Sequence, residues 1–584
     1  MVRVSDYVIQ FLESKNVKHI FTITGGGAMF LNDAVAKSKQ ITPVFCHHEQ
    51  ACTMAAVSYS KVNNDLGVVM PTTGCGGTNT ITGLLDAWQD SNKLLIIAGQ
   101  VNKSECTYFS GLKLRKLGAQ EANLVDIVKS ITKFAECVDS PQKIRYYLEK
   151  AFYECCSNRP GPVWLEIPLD VQGSYINPEE LESFDIPQKI AKTSNIESIL
   201  KESKRPVIIA GNGINLANAR NEFKAFVEKY SLPVICTYLA ADILPENHKN
   251  YIGRTGVKGT RAGNFAIQNA DLVISIGSSL SIPVTGYKYD TFAREARIVA
   301  VDIDPIEHQK STIKVDTIIE SDITDFINCN INIDFKCNEE WINTCNRWKN
   351  KWPIHNIRDK KLNLYTFSKT LSDSVKDLKS ITICDAGLSY YAMGQSLIIG
   401  DKNRYITSGA QAEMGFTVPA CVGAHFADSS FNILGVTGDG SFQFNIQELQ
   451  TISQYKLPIK IFIVNNGGYL SIKNTQDKFF SSRYFGINSE FGVSFPPLKK
   501  IAAAYGFKYI KINSLKKLKN NISSIISENS PIICELMMPK DEQIKPTSAT
   551  KQLENGKIVS QPLENMFPFL SEEEFNKEMI IKPI

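Results

Sequence analysis

A short apolar run ending in Gly, Asp or Asn, followed by an amphipathic stretch, recurs along this chain. The runs are LGVVMPTTGCGG (66–77), KLLIIAGQV (93–101), GPVWLEIP (161–168), RPVIIAGNG (205–213), DLVISIGSS (271–279), ARIVAVDIDP (296–305), SITICDAG (380–387), FNILGVTGDG (431–440) and IKIFIVNNGG (459–468). Strands apolar on both faces, alternating with helices, belong to parallel sheets that helices cover on each side. The runs fall into three groups, in keeping with 584 residues, too many for one hydrophobic core. The expected fold is therefore α/β: three doubly wound parallel-sheet domains at 1–180, 190–330 and 360–545, with a C-terminal tail at 546–584. The Pro- and acid-rich stretch at 175–189 and the polar, Trp-bearing stretch at 328–350 read as linkers. The tail loses the alternation and is expected to fold over a neighbouring surface.

Charge excludes some partners. With 64 basic and 60 acidic residues the net charge is +4, which gives no electrostatic case for nucleic acid or an anionic membrane. MVRVSDYVIQFLESKNVKHIF at the start reads as an amphipathic helix and lacks the continuous apolar core of a signal peptide. No window of uninterrupted apolar residues is long enough to span a bilayer. The 14 cysteines are scattered, without a C-x-x-C pair, as expected of free core thiols in a reducing, cytoplasmic compartment.

The strongest constellation is Gly438-Asp439-Gly440-Ser441. A buried strand (NILGVT) precedes it, a helical pattern (QFNIQELQTISQY) follows, and a second buried strand (IKIFIV) ends at Asn465-Asn466. Parallel strands joined by a helix bring their carboxyl ends side by side, where α/β sheets bind ligands, so Asp439 and Asn466 are expected to be neighbours. A magnesium ion prefers oxygen ligands in an octahedron. The Asp439 carboxylate, the Asn466 amide oxygen and a backbone carbonyl would supply half of it, phosphate oxygens and water the rest. The glycines let the backbone approach an anion, and the helix start after Ser441 offers free N–H groups. A lone Gly-Asp-Gly is equally well a tight turn; the whole string is not. It resembles the diphosphate-binding motif of thiamine-diphosphate enzymes, and by that resemblance the carbonyl ligand is Gly468.

A second constellation is VFCHHEQACTMAAVSYSK (44–61), where a short strand delivers Glu49 to the first turn of a small-residue helix. In isolation Glu49 is a comfortable helix-start residue. Desolvation there would disfavour its charged form, and thiamine chemistry needs a carboxyl that shares a proton with a pyrimidine ring nitrogen.

The first third is similar to the pyrimidine-binding domain of the acetolactate synthase family: TGGGAMFLNDAV (24–35) to its PGGA loop, HHEQACTMAA to its RHEQ segment, and PTTGCGGTNTITGLLDAWQDSNKLLIIAGQV (71–101) to its long glycine-rich stretch. The resemblance implies that Glu49 is the activating carboxylate, with Gly27 and Asn79 near the pyrimidine and the reacting carbon, and Gln120 on an active-site glutamine. SGAQAEMGFTVPACVGAHFA (408–427) resembles the family's TMGFGLPAAIGA. By that likeness Met414, otherwise core filler, props the cofactor into its bent shape. Asp385 and Gly387 fall where the family places diphosphate contacts. A homodimer or larger homo-oligomer, with Glu49 and the Gly-Asp-Gly turn meeting across subunits, is implied too.

Departures bear on the middle domain and the acceptor side. In the family the middle domain carries a non-redox FAD. Here RPVIIAGNGI lacks the third glycine of a dinucleotide fingerprint, which also weighs against a nicotinamide-dependent oxidoreductase. Gly256-Val257-Lys258-Gly259 replaces the family's GMHG, Ser279 stands in place of an arginine, and so does Lys129. These changes weigh against FAD. Ala119 replaces a phenylalanine, His47 an arginine, and YLSIKNTQ around Thr475 lacks the tryptophan that selects the second keto acid. The expected activity is decarboxylation of a 2-keto acid such as pyruvate with ligation to a second carbonyl compound. The alternatives are a decarboxylase that releases an aldehyde and a ligase with a keto-sugar acceptor. A non-enzymatic paralogue would be expected to have lost Glu49, Asp439 or Asn466.

Overall fold

The computed structural model describes residues 1–584 except 189–191, 193, 357, 553 and 554. The chain builds three parallel sheets of six strands. The first comprises β1 (His19–Thr22), β2 (Thr42–Phe45), β3 (Gly67–Met70), β4 (Leu94–Gln100), β5 (Phe134–Cys137) and β6 (Pro162–Pro168), in the order β2-β1-β3-β4-β6-β5. The middle sheet holds β7 (Pro206–Ala210), β8 (Val234–Cys236), β9 (Tyr251–Arg254), β10 (Leu272–Ile276), β11 (Arg297–Asp302) and β12 (Thr317–Glu320), ordered β9-β8-β7-β10-β11-β12. The third contains β13 (Ser380–Cys384), β14 (Asn403–Thr407), β15 (Asn432–Gly438), β16 (Lys460–Asn465), β17 (Lys508–Ile512) and β18 (Ile532–Met537), ordered β14-β13-β15-β16-β18-β17. The first and third sheets share one topology. The middle sheet has the Rossmann order, which reverses between β7 and β10 and opens a crevice there.

Every apolar run read from the sequence is a buried inner strand; β4 and β6 are buried at each residue. Outer strands such as β5 and β17 are half-exposed. The helices that matter for the site are α1 (Glu49–Asn63), α2 (Ile81–Gln89), α3 (Glu339–Lys351), α4 (Thr417–Ala427) and α5 (Leu470–Phe479). α1 from the first domain packs on α4 from the third. A Cβ added at Gly423 would lie 1.9 Å from the Ala55 carbonyl oxygen, so the helices cross at a point only glycine permits. The two domains share one apolar core through this contact.

The Trp-bearing stretch expected to be a linker is instead the helix α3. Trp341, Cys345 and Trp348 fall on one face by helical spacing and enter the middle-domain core. The helix expected after Ser441 is interrupted: a 3-10 turn covers Ser441–Gln443 and α-helix resumes only at Glu448. Between them the Asn445 side chain bonds the Gly415 carbonyl (2.9 Å), a competing partner outside the helix. The tail folds back on the middle domain. Buried Glu564 accepts from Gln268 (2.6 Å) and Arg294 (2.8 Å), while Met579 and Ile581 join its core. No described helix is long and apolar enough to cross a membrane.

Candidate active site

The Asp439 loop lies at the carboxyl ends of β15 and β16. Asp439 is 4% exposed, and its carboxylate accepts backbone N–H groups from Gly440 (2.9 Å), Gly467 (2.8 Å) and Gly468 (3.2 Å). Burial pushes its carboxyl up to about 6 against the pull of those amides. Gly467 (φ 79°) and Gly468 (φ 150°) adopt backbone that side chains disfavour, which wraps the chain around the carboxylate. Beside it the Asn466 amide oxygen is buried without a hydrogen-bond partner among the described residues. A buried, unpaired oxygen next to a carboxylate is costly unless something electropositive meets it. A cation held by Asp439, Asn466 and a loop carbonyl supplies that partner, so the residues fit magnesium. At Gly387 (φ 65°) and Gly438 an added Cβ would meet nothing within 4 Å, leaving space beside the backbone for a diphosphate.

Asp385, expected to contact the diphosphate, has its carboxylate turned into the protein. It accepts from Ala386 N (2.7 Å), Thr437 Oγ1 (2.9 Å) and Ser441 Oγ (2.6 Å). Ser441 Oγ in turn accepts the Gly415 N–H (2.9 Å). Asp385 thereby fixes both the Gly-Asp-Gly-Ser turn and the Met414-Gly415 turn, and half-buried Met414 sits just ahead of α4. Asn445, which sequence reasoning missed, closes the same frame. Its amide reaches Gly415 O, Gln50 Oε1 (3.3 Å) and Met54 Sδ (3.5 Å). Only its being a polar side chain in an apolar pattern could have flagged it.

On the first domain, Glu49 opens α1 and is half-buried. Its Oε2 accepts from Asn79 Nδ2 at 2.9 Å, and its Oε1 is 3.4 Å from the point where a Cβ on Gly76 would stand. Gly27 belongs to a glycine loop packed at the end of β4. A Cβ there would come within 1.7 Å of Thr73 Oγ1, whose hydroxyl is buried and unpaired. Gln120 (φ 61°) is on an exposed turn whose carbonyl packs on Gly74, within the glycine stretch that carries Asn79. Glu121 holds that turn by accepting from Leu117 N (2.7 Å) and Thr107 Oγ1 (3.0 Å). The expected residues therefore gather as two sets, one around Glu49 and one around Asp439, bridged within the chain by Asn445 and Gln50.

A cavity of about 1780 Å³ opens where the middle-sheet order reverses. Gly213, Ser278 and Asp302 line it at the strand ends, Thr475 and Lys478 from α5, and Phe567 from the tail.

Comparison with known proteins agrees along the chain. The thiamine pyrophosphate enzyme N-terminal TPP binding domain matches residues 2–127, the central domain 194–329 and the C-terminal TPP binding domain 385–536. The acetolactate synthase large subunit of Lactococcus lactis subsp. lactis (strain IL1403) is 32% identical over 560 residues, covering 93% of each chain. That of Cyanidium caldarium is 30% identical over 577 residues, 95% of this chain and 96% of the other. A probable acetolactate synthase large subunit of Methanocaldococcus jannaschii is 29% identical over 564 residues, 92% of each.

Proposed function

Because the chain belongs to the thiamine pyrophosphate enzymes, among the acetolactate synthase large subunits, we propose that it decarboxylates a 2-keto acid, pyruvate foremost, and joins the two-carbon unit to a second carbonyl compound. It is a thiamine-diphosphate-dependent enzyme. The observation that carries the site is the unpaired Asn466 oxygen beside the buried Asp439 carboxylate.

Bound thiamine diphosphate supplies a nucleophilic carbon and an electron sink for the decarboxylation. Asp439, Asn466 and the Gly468 carbonyl would hold magnesium, Gly438 and Gly387 would leave room for the diphosphate, and Gly440 and Ser441 form the turn beside it. Glu49, oriented by Asn79, shares a proton with the aminopyrimidine. Met414 would pack against the bound cofactor, while Gly27 and Gln120 would border the reacting side.

Exposed apolar side chains flank the site segments: Met29 after Gly27, Phe45 before Glu49, Leu112 and Leu117 before Gln120, and Phe444 after Ser441. Such patches call for a covering surface, and a second copy of the chain, bringing its Asp439 set to this Glu49 set, is the occupant we assign. Free thiols throughout fit a cytoplasmic location.

The missing tryptophan around Thr475, with Ala119 and His47, favours a second reading of the acceptor, a larger carbonyl compound such as a keto sugar. The middle-domain cavity is lined by none of Glu49, Gln120, Met414 or Asp439, so its volume does not bear on the acceptor. We assign no FAD to that cavity, given Lys129, Ser279 and the Gly256–Gly259 loop. Mass spectrometry of products from pyruvate with candidate acceptors is expected to give ligated products; aldehyde alone would eliminate ligation. Stoichiometric flavin absorbance in the purified protein would overturn the FAD assignment.

A further inference from the structure

Lys61 lies near the end of α1, about 18 Å along the helix axis from Glu49 at 1.5 Å per residue. Its side chain is 7% exposed. The ammonium is 2.8 Å from Asp90 Oδ2, 3.5 Å from Asp86 Oδ2 and 2.8 Å from the Thr407 carbonyl. Asp86 on α2 and Asp90 at its end have side chains 0% and 1% exposed. The 408–415 turn enters the same space from the third domain. Gly409 and Ala410 donate their N–H groups to Asp90 at 2.7 and 3.0 Å. Ser408 Oγ is 2.9 Å from Asp86 Oδ1 and also contacts Glu413 Oε2, while Glu413 Oε1 is buried without a partner.

Neither charges nor hydrogens balance if all these carboxyls are ionised. Asp86, Asp90 and Glu413 then face a single ammonium away from water, an arrangement that sheds charge by taking up a proton. Ser408 has one hydroxyl hydrogen and two carboxyl oxygens against it. It can donate to one; the other contact is a hydrogen bond only if that carboxyl carries a proton and donates to Ser408. One proton on the Asp86–Ser408–Glu413 line supplies the missing hydrogen and leaves two carboxylates facing the ammonium, with the Gly409 and Ala410 N–H groups solvating Asp90.

We propose that Lys61, Asp86, Asp90 and Glu413, sharing one proton through Ser408, form a positioning lock that seats the 408–415 turn, and with it Met414, on the helix that carries Glu49. The inference rests on the reading of Met414 and Glu49 as cofactor residues. Glu413 stands where the resembling family segment has threonine, so the protonated member of the lock is a feature of this chain. Burial pushes Glu413 up to about 7, and burial together with the Glu413 charge raises Asp86. The groups facing Glu413 are Lys61 from α1, Asp86 and Asp90 from α2, and Ser408 in its own turn; the Phe416 ring lies 5.4 Å from the ammonium. Glu413 titrates above its ordinary range, so the lock is intact below about pH 7 and loses its proton as pH rises through that value.

The test is calorimetric titration of thiamine diphosphate with magnesium into the wild type, Glu413→Gln and Glu413→Ala at about pH 6.5 and about pH 8.5. Wild-type affinity is expected to fall about 3- to 10-fold at the higher pH beyond any fall in Glu413→Gln, whose amide donates to Ser408 without ionising. Glu413→Ala is expected to bind weakly at both. Should Glu413→Gln fail to fold, Asp86→Asn is read the same way. Parallel loss of affinity in the wild type and the amide variant would overturn the lock. A wild type that binds no cofactor at either pH overturns the functional reading as well, and the wild type alone tells the two failures apart.

Discussion

Ser441 shows how much of the site rests on single hydrogen bonds. Its hydroxyl donates to Asp385 at 2.6 Å and accepts the Gly415 amide at 2.9 Å, so the carboxylate orders a turn it does not itself form. Asp385 is fully buried, and replacing it with alanine strips an acceptor from Ser441, Thr437 and Ala386 at once. Asp385→Ala is expected to cost about 2–4 kcal/mol of stability, as measured by denaturant unfolding, and to weaken cofactor binding with it. Undiminished stability would mean that these donors are satisfied some other way. The sequence placed Asp385 at the right strand end; that its oxygens point inward depends on Thr437 and Ser441, more than fifty residues away.

At the scale of elements, α1 and α4 join the first and third domains. A methyl on Gly423 would sit 1.9 Å from the backbone oxygen of Ala55, which cannot swing aside as a side chain would. Gly423→Ala is expected to destabilise by about 1–3 kcal/mol and to lower the melting temperature; a melting temperature equal to the wild type would show that the helices can part without cost. Elements with an unambiguous apolar signature were legible in the sequence: inner strands such as β4, β10 and β16 are apolar on both faces because both are covered. Outer strands such as β5 and β17 face solvent in part and leave a weaker signal. α3 was misread because its polar residues outnumber the Trp341–Cys345–Trp348 stripe that packs. The positions of Asp439 and Asn466 at adjoining strand ends, and of Glu49 at a helix start, were readable because apolar strands and a small-residue helix frame them. Asn445 and the Lys61–Glu413 set were not, since each acquires meaning only from partners brought close by folding.

For the whole molecule, Arg404 is the junction. It pairs with Asp242 of the middle domain, which Arg220 also meets at 2.7 Å, and donates to the carbonyls of Val62 (3.0 Å) and Lys61 (3.3 Å) at the end of α1. One guanidinium thus touches all three domains. Burial alone would raise the Asp242 carboxyl, but the two arginines hold it well below the usual carboxylate range. A folded-state value below the unfolded one means that the pair stabilises the protein above the ordinary carboxylate range and loses that contribution as pH falls through it. Asp242→Asn is expected to cost about 3–5 kcal/mol near neutrality and to flatten the acid limb of the stability profile; an unchanged acid limb would show that other groups govern it. The proposed function requires one cofactor held between the Glu49 and Asp439 sets, and calorimetric titration of thiamine diphosphate, with and without magnesium, addresses that directly. The expected result is tight binding by the wild type only with the cation, none by Asp439→Ala, and binding without turnover of a 2-keto acid by Glu49→Gln. Cofactor uptake by Asp439→Ala at wild-type affinity, or full turnover by Glu49→Gln, would contradict it.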